Sequence, residues 1–188
     1  MDNLYLRKAT MADVDRIWVI LQQAVAQMLR EGKKQWDETY PRPENIIADI
    51  EAGVATVMCY RPEQTVENYD IKEDDPAHII SYAALVYTGE PAYDQPQLKW
   101  ISSLDYVVVH RIAVADEFKR QGMATKMMLL VEKDALSHGI RSCRLDTNYD
   151  NFYMQKMLAT LGYSYTGECI YQRCGASLCY EKLIGEYP

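Results

Sequence analysis

The sequence predicts an α/β fold, in which a mixed, seven-stranded central sheet carries helices on both faces. Strand-like and helix-like segments follow one another in the order strand, two helices, three strands, helix, strand, helix and two strands. A sheet layered between helices satisfies an order of this kind. Because 188 residues are enough for one full hydrophobic core, we expect a single domain over residues 1–188.

The chain begins with a short strand and two amphipathic helices. Residues 4–8 predict the strand, and Thr10 with Asp13 forms a pattern typical of a helix start. Apolar residues at helical spacing then predict a helix that ends at about Arg30. A second helix begins near Pro43, inside the first turn, where proline is tolerated. The apolar positions of the two helices are Val14, Ile17, Leu21, Val25 and Met28, and Ile46, Ile47 and Ile50.

The rest of the chain alternates strands with two further helices. Strands are predicted at 54–60, 79–87, 104–114, 141–147, 163–171 and 177–183, and helices at 123–138 and 151–161. Two long loops, at 61–77 and 88–101, separate the early strands, and loops of this length are often functional. The acidic run Glu73–Asp75 in the first loop can attract a basic substrate, although such runs more often form a solvated surface.

Composition excludes several classes of protein. The net charge of -7 argues against a nucleic-acid partner and is compatible with a cationic substrate. Five cysteines without a C-x-x-C pair predict neither a metal site nor a disulfide framework, and they favour a reducing compartment. We expect a cytoplasmic protein with no membrane segment, because the N-terminus lacks the pattern of a signal peptide and no long apolar run occurs.

The segment from His110 to Thr125, HRIAVADEFKRQGMAT, carries the strongest chemical signal. A strand ends at Val114 and Gly122 opens a helix, so unpaired backbone N–H groups can bind phosphate there. Lys119 and Arg120 add positive charge beside this helix start. Taken alone, the pattern predicts an anion site and a plain strand–turn–helix about equally well.

Residues 119–124, K-R-Q-G-M-A, resemble motif A of the GNAT superfamily of N-acetyltransferases, [RQ]-x-x-G-x-[GA], with lysine in the first position. The resemblance implies an acyl-CoA N-acyltransferase fold and acetyl-CoA as cosubstrate, with no metal. It also implies that a splayed strand at Ile112, Ala113 and Val114 pairs with the pantetheine arm. The implied pyrophosphate loop comprises Lys119, Arg120, Gln121, Gly122, Met123, Ala124 and Thr125.

Residues 145–163, LDTNYDNFYMQKMLATLGY, resemble motif B of the same superfamily. The resemblance implies that Asn151 contacts the cofactor, and the same side chain can cap the following helix. The superfamily's frequent catalytic tyrosine is replaced by Leu158. Another acid or water must then protonate the departing thiolate, and the sequence does not choose among Tyr149, Tyr153, Tyr163 and Tyr165. More narrowly, V-H-R-I-A-V, R-L-D-T and Q-W-x-x-x-Y-P (Gln35 to Pro41) resemble a group of bacterial acetyltransferases.

Acetyl transfer to an amine needs a base and a donor for the thioester carbonyl. His110 is a candidate base, since histidine titrates near about pH 6.5, although a structural strand histidine is the commoner case. Asp146 is a second candidate, for which an ion pair with Arg111 or Arg144 is the favoured alternative, and Asp105 is a weaker third. The resemblance implies that the backbone N–H of Val114 polarises the carbonyl.

The acceptor side is less defined. The resemblance places Trp36 and Tyr40 near the acceptor, where they can form an aromatic wall or simply pack the loop onto the domain. Three functions stay open: acetylation of a primary amine of a small molecule, acetylation of a protein N-terminus or lysine, and non-catalytic acyl-CoA binding. Long loops favour the first. The resemblance also leaves open a homodimer.

Overall fold

The computed structural model describes residues 3–61, 78–171 and 175–185. Most of the 61–77 loop with its acidic run, and Cys174, lie outside the described residues. The strands are β1 (Leu4–Lys8), β2 (Ala55–Tyr60), β3 (Ile79–Val86), β4 (Tyr106–Val114), β5 (Ser142–Thr147), β6 (Ser164–Tyr171) and β7 (Gly175–Leu183). The helices are α1 (Val14–Arg30), α2 (Pro43–Glu51), α3 (Met123–Ser137) and α4 (Phe152–Thr160). The predicted element order is confirmed, with ends shifted by a residue or two.

The predicted helix start at Thr10 is confirmed, although its first turn is a 3-10 helix, Met11–Asp13. The Asp13 carboxylate accepts the N–H of Thr10 at 2.7 Å and lies on the guanidinium of Arg7 at 2.7 and 2.8 Å. The fully buried Asp13 therefore joins the start of α1 to strand β1.

The seven strands form one mixed sheet, as predicted, in the order β1-β2-β3-β4-β5-β7-β6. All neighbouring strands are antiparallel except β4 and β5, which run parallel. The sheet carries α1 and α2 on one face and α3 and α4 on the other. In β2, Val57 and Cys59 contact the first layer while Met58 contacts the second, as the two-residue period of a strand requires. Within the described ranges, no helix is both long and apolar enough to cross a bilayer.

Strands β4 and β5 pair only at their beginnings. Their three paired positions end at Val108 opposite Arg144, whereas β4 continues to Val114 and β5 to Thr147. Beyond Val108 the two strands separate, so the sheet opens into a cleft at its centre. Since β3 stays paired with β4 up to Val114, the backbone edge of β4 that faces away from β3 lines this cleft.

A β-bulge accompanies the separation. In the β3–β4 ladder, Tyr82 pairs with Ala113 and Ala84 with His110, so Arg111 and Ile112 lie opposite one residue of β3. Arg111 has a φ of 54°, in the left-handed region that residues other than glycine rarely adopt. A bulge bends its strand and increases the local twist, which explains why β4 turns away from β5 here.

A buried ion pair between Arg144 on β5 and Glu181 on β7 holds the loop before β4 against these two strands. The fully buried Glu181 on β7 accepts from Arg144 Nη2 at 3.1 Å, from Ser142 Oγ at 2.7 Å and from Ser102 Oγ at 2.8 Å. Arg144 lies between the rings of Trp100 and Tyr106, at 4.2 and 3.9 Å from their centroids. Burial by itself would raise the pKa of Glu181, but these hydrogen bonds and the charge of Arg144 hold it below its ordinary value.

We expect Glu181→Gln to lower the free energy of unfolding by about 3 kcal/mol at neutral pH, because it leaves the buried Arg144 without its carboxylate. A carboxyl group with a lowered pKa stabilises the folded state above its ordinary value of 4.5, and this contribution is lost as the pH falls through the lowered pKa. The difference between wild type and variant should therefore shrink below about pH 4.5. Urea unfolding from pH 7 to 3 measures it, with the exposed Glu168→Gln as control. A difference that stays constant with pH would contradict the assignment.

Candidate active site

The cleft between β4 and β5 holds an elongated groove of about 1000 Å³, which we call the cofactor groove. One wall is the β4 segment Ile112–Val114, and the loop from β4 to α3 forms one end. Ala115 donates its N–H to Ile80 O at 2.9 Å, and Val114 lies opposite Ser81. Because bonded and non-bonded pairs alternate along an antiparallel ladder, the N–H of Val114 points away from β3, into the cleft. The strand edge expected to pair with the pantetheine arm is therefore free.

The start of α3 forms an open cradle for an anion at the end of the cofactor groove. Gly122 is its N-cap in the left-handed conformation, with a φ of 72°, and no side chain caps the helix. A Cβ atom at Gly122 would meet nothing within 4 Å. The first bond inside the helix runs from Lys126 N to Gly122 O, so the N–H groups of Met123, Ala124 and Thr125 have no partner within the helix. These features fit the pyrophosphate of acetyl-CoA, which the resemblance implies.

Two cations of the loop differ in their surroundings. Lys119 Nζ lies 2.5 Å from Asp116 Oδ1 and donates to Gln27 Oε1 at 2.7 Å, so its charge is partly matched and it ties the loop to α1. Arg120 is exposed and, like Gly122, has a positive φ, of 62°. Gln121, which lies between Arg120 and Gly122 in the chain, is exposed as well. Arg120 is therefore the cation better placed to approach a phosphate.

A second cavity, the acceptor pocket, opens beside the cofactor groove and has a volume of about 390 Å³. Four residues line both cavities: Met28, Ile112, Asn151 and Met154. The two cavities therefore meet at the bulge of β4 and the start of α4. A molecule in the acceptor pocket can reach the end of a molecule that lies in the cofactor groove.

His110 lies in the acceptor pocket beside Glu90, which follows β3. His110 Nε2 lies 3.0 Å from Glu90 Oε2, and both side chains are about one-fifth exposed. The hydrogen bond from His110 outweighs burial and holds the pKa of Glu90 below its ordinary value. An ionised carboxylate can only accept, so Nε2 carries the proton and Nδ1 of the neutral ring is the nitrogen that can take one up. Nothing in the sequence distinguishes Glu90 from the other acidic residues of the loops.

Asp146, the second candidate base, also lines the acceptor pocket, at the end of β5. Its Oδ1 accepts from the hydroxyls of Tyr93 and Tyr171, each at 2.9 Å. The expected ion pair with Arg111 or Arg144 is wrong, because Arg111 pairs with Asp49 and Arg144 with Glu181. Tyr93 lies in a short 3-10 helix and Tyr171 at the end of β6, so only the tertiary structure brings these phenols to Asp146.

Arg111, the residue of the bulge with positive φ, joins β4 to α2. Its Nε donates to Asp49 Oδ2 at 2.8 Å and its Nη2 to Asp49 Oδ1 at 2.5 Å. Asp49 is 7% exposed and also accepts from the hydroxyl of the buried Tyr82. Arg111 Nη1 donates to the hydroxyl of Tyr40 at 3.0 Å, so Tyr40 is held at the wall of the acceptor pocket.

Residues 33–36, which we call the strap, cross from the end of α1 to the far side of the cleft. Lys34 N donates to Asp150 Oδ2 at 3.1 Å, and Lys33 Nζ lies 4.6 Å from the ring centroid of Tyr153. Gln35 Oε1 accepts from Thr147 Oγ1 and from Asn151 Nδ2, each at 3.3 Å. The strap therefore connects α1 to the loop between β5 and α4, over the place where the two cavities meet.

Asn151 and Trp36 combine the roles that the sequence left open. Asn151 Oδ1 accepts from Met154 N at 3.4 Å and so caps α4, while the residue lines both cavities. Trp36 is 6% exposed and belongs to the core beneath α1 and α2, yet it also forms part of the acceptor pocket. Both residues therefore have a structural role and also line the site.

Of the four tyrosines that the sequence left as acids, only Tyr153 lines either cavity. It is 71% exposed and lies on the cofactor groove, whereas Tyr163 is buried against α3. Leu158 is fully buried in the core, so α4 presents Met154 and Met157 to the groove instead. The four described cysteines are buried thiols away from both cavities, and burial raises the pKa of Cys143 to about 12. Asp105, the weaker third candidate base, lies before β4 and lines neither cavity.

We expect Gly122→Glu to abolish binding of acetyl-CoA by placing an anion in the cradle at the start of α3. The variant should stay folded, because a Cβ there meets no atom and the left-handed backbone costs an L-residue only about 1–2 kcal/mol. Gly139→Glu is the matched control, since Gly139 lies beyond the other end of α3 with a φ of 77° and equally open space. Calorimetric titration measures binding. Equal affinity in the two variants would contradict the assignment of the cradle.

The chain matches known proteins over most of its length. Residues 24–163 match the model of the acetyltransferase (GNAT) family. A GNAT acetyltransferase from Streptococcus agalactiae is 28% identical, with a TM-score of 0.79 over 97% of this chain and 96% of that one. A GNAT acetyltransferase from Listeria monocytogenes is 17% identical, with a TM-score of 0.70 over 96% and 95%.

A third solved structure, yncA from Salmonella typhimurium with its cofactor acetyl-CoA, is 16% identical, with a TM-score of 0.61 over 98% and 96%. None of the curated proteins matches the chain. The family match covers well over half of the sequence, in agreement with the splayed strands and the open start of α3. The chain belongs to the GNAT family of acetyltransferases, which use acetyl-CoA to acylate an acceptor.

Proposed function

We propose that this protein is an N-acetyltransferase that transfers the acetyl group of acetyl-CoA to a primary amine of a small molecule, by direct attack in a ternary complex. The observation that carries the proposal is the meeting of the two cavities at Ile112 and Asn151, with the His110–Glu90 pair in the acceptor pocket. A site of this shape lets both substrates be bound together. No enzyme nucleophile is then needed, and the buried cysteines agree with that.

Acetyl-CoA supplies an acetyl group activated as a thioester. The amine nitrogen forms the new bond to the acetyl carbon as the carbon–sulfur bond breaks, so one proton must leave nitrogen and one must reach sulfur. We assign the first proton to Nδ1 of His110, which Glu90 holds in the tautomer that leaves Nδ1 free. Asp146 is the weaker base, because two phenols already donate to it.

The backbone of β4 is the proposed donor to the thioester carbonyl. Val114 offers an N–H that points into the cleft, and we keep it as the predicted donor. Ile112 is a second candidate, since it belongs to the bulge and lies where the two cavities meet. Tyr153 is the proposed source of the proton that reaches sulfur, because it lies on the cofactor groove beside the strap.

The strap favours a small acceptor over a protein. Its hydrogen bonds to Asp150 and Asn151 bridge α1 to the loop before α4 beside both cavities, and a bridge there would narrow the access of an extended peptide. The acceptor pocket, of about 390 Å³, is within the usual range for small-molecule sites. Acetylation of a protein N-terminus or lysine is the second candidate function. The single domain, the cytoplasmic location and the homodimer stay predictions.

We expect His110→Gln to lower kcat for amine acetylation by about 10²- to 10⁴-fold, the usual contribution of a positioned base, without changing the affinity for acetyl-CoA. Glu90 stays ionised at neutral pH because its pKa is lowered, so protonation of this carboxylate does not account for a fall in rate near neutral pH. A fall in rate that depends on His110 should disappear in the variant. Release of coenzyme A thiol against a panel of amines and peptides, from pH 5 to 9, measures both effects.

His138→Gln is the matched control, because His138 is exposed at the end of α3, away from both cavities. An unchanged rate and pH profile in His110→Gln would overturn its role as base. Turnover of peptides but not of small amines would favour the second candidate function. Binding of acetyl-CoA without turnover of any amine or peptide would overturn the proposal.

A further inference from the structure

The charges around the acceptor pocket do not balance. Four of its lining residues are ionisable side chains of opposite kinds: Glu90, Asp146, His110 and Arg111. The charge of Arg111 is matched by Asp49, which lies outside the pocket lining. When His110 is neutral, as a base must be, no cation among the described residues forms an ion pair with Glu90 or Asp146. The described part of the pocket lining therefore carries an excess of negative charge.

Asp146 is the carboxylate with room for a ligand. Both of its described partners, Tyr93 and Tyr171, are neutral phenols and both donate to Oδ1. Among the residues that the structure describes, none donates to Oδ2 and no cation pairs with Asp146. The two phenols fix the carboxylate without neutralising it, and the side chain is only half-buried at the pocket wall.

The charges of both Asp146 and Glu90 act on Tyr171. The hydroxyl of Tyr171 donates to Asp146, and burial together with the charges of Asp146 and, more weakly, Glu90 raises the pKa of this phenol. The pocket therefore presents two separate anionic positions: one at the His110–Glu90 pair and one at Asp146. The same pocket also has apolar and aromatic lining residues, among them Met28, Trp36, Val109 and Leu145.

We propose that the acceptor is a diamine, or another small amine with a second cationic group, whose reacting nitrogen lies at His110 and whose remote ammonium binds Asp146. The proposal rests on the proposed function, since it names the substrate class of the same site. The reacting nitrogen must lose a proton before it attacks, but the remote ammonium keeps its charge and stays paired with Asp146. The apolar walls accept the methylene chain between the two nitrogens.

The same charges exclude amino acids as good acceptors. A carboxylate at the remote end of the molecule would face Asp146, and like charges in a half-buried pocket repel one another. Arg111 does not offer a compensating site, because its guanidinium is held by Asp49 and Tyr40. Among acceptors of equal length, the order of reactivity should be diamine, then monoamine, then amino acid.

The test uses acceptors matched in length that differ only at the remote end. The probes are 1,4-diaminobutane, 1-aminopentane and 5-aminopentanoate, and 1,3-diaminopropane and 1,5-diaminopentane then vary the distance between the nitrogens. We expect wild type to favour the diamine over the monoamine by at least about tenfold in kcat/KM. Asp146→Asn, whose amide oxygen can still accept from both phenols, should raise KM for the diamine about tenfold and so remove most of the preference for the diamine over the monoamine.

Glu168→Gln is the matched control, because it removes a carboxylate from an exposed position on β6 and should keep the preference. Equal rates for the three probes would overturn the inference while leaving the proposed function intact. A loss of activity in Asp146→Asn that affects monoamine and diamine alike would also overturn it, since that is what damage to the wall around Tyr171 would cause.

A binding measurement separates this inference from the proposed function. With coenzyme A present instead of acetyl-CoA, 1,4-diaminobutane is titrated calorimetrically into wild type and into Asp146→Asn. Binding to wild type that falls about tenfold in the variant supports the diamine site even if no amine is acetylated, in which case the proposed function alone fails. No binding to wild type would overturn the inference.

Discussion

The separation of β4 from β5 is the constraint on which the rest of the site depends. It begins beyond Val108, and the bulge of Arg111 and Ile112 follows at once, where β4 keeps its pairing with β3. The left-handed backbone of Arg111 costs of order 1–3 kcal/mol. The same residue makes charge-assisted hydrogen bonds to the buried Asp49, each of which contributes about 1.5–3 kcal/mol. These bonds are of the same order as the strain, so the side chain of Arg111 helps to hold the bulge that its own backbone forms.

The anchoring of Arg111 also decides the electrostatics of the acceptor pocket. A guanidinium on the pocket wall would ordinarily attract an anionic ligand, but the charge of Arg111 is already paired with the carboxylate of Asp49 on α2. Glu90 and Asp146 are then the remaining described carboxylates of the pocket, and one hydrogen bond links Glu90 to His110, the proposed base. The ion pair of Arg111 with Asp49 thus contributes both to the bulge and to the preference for cations that we propose for the pocket.

The two cavities of the site are lined by residues from different parts of the chain. The start of α3 and the edge of β4 are close in sequence, and both offer unpaired backbone N–H groups to the cofactor groove. The acceptor pocket takes its side chains from α1, the strap, β4, β5, β6 and β7, and from Glu90 in the loop after β3. This division agrees with a fold in which the acetyl donor binds in one common way while the acceptor depends on local side chains.

Periodicity and turn residues were sufficient to predict the order of the elements, the mixed sheet and the helix start at Gly122, while the binding of the cofactor at this start stays a prediction. Each of these features depends on neighbours within a few residues, such as Thr10 with Asp13 or Gly122 with the N–H groups that follow it. The partners of Asp146 could not be predicted from its neighbours in the sequence. An ion pair with Arg144 or Arg111 was expected, but Arg144 pairs with Glu181 on β7 and Arg111 with Asp49 on α2.

Glu90, Tyr93 and Tyr171 come to His110 and Asp146 only because the loop after β3 packs on β6. The sequence by itself thus determined the order of the elements and the open start of α3 at Gly122, since both follow from local backbone preferences. The tertiary structure alone decided which acids face the acceptor and which are neutralised, because the energy of a charge depends on partners that are distant in the chain.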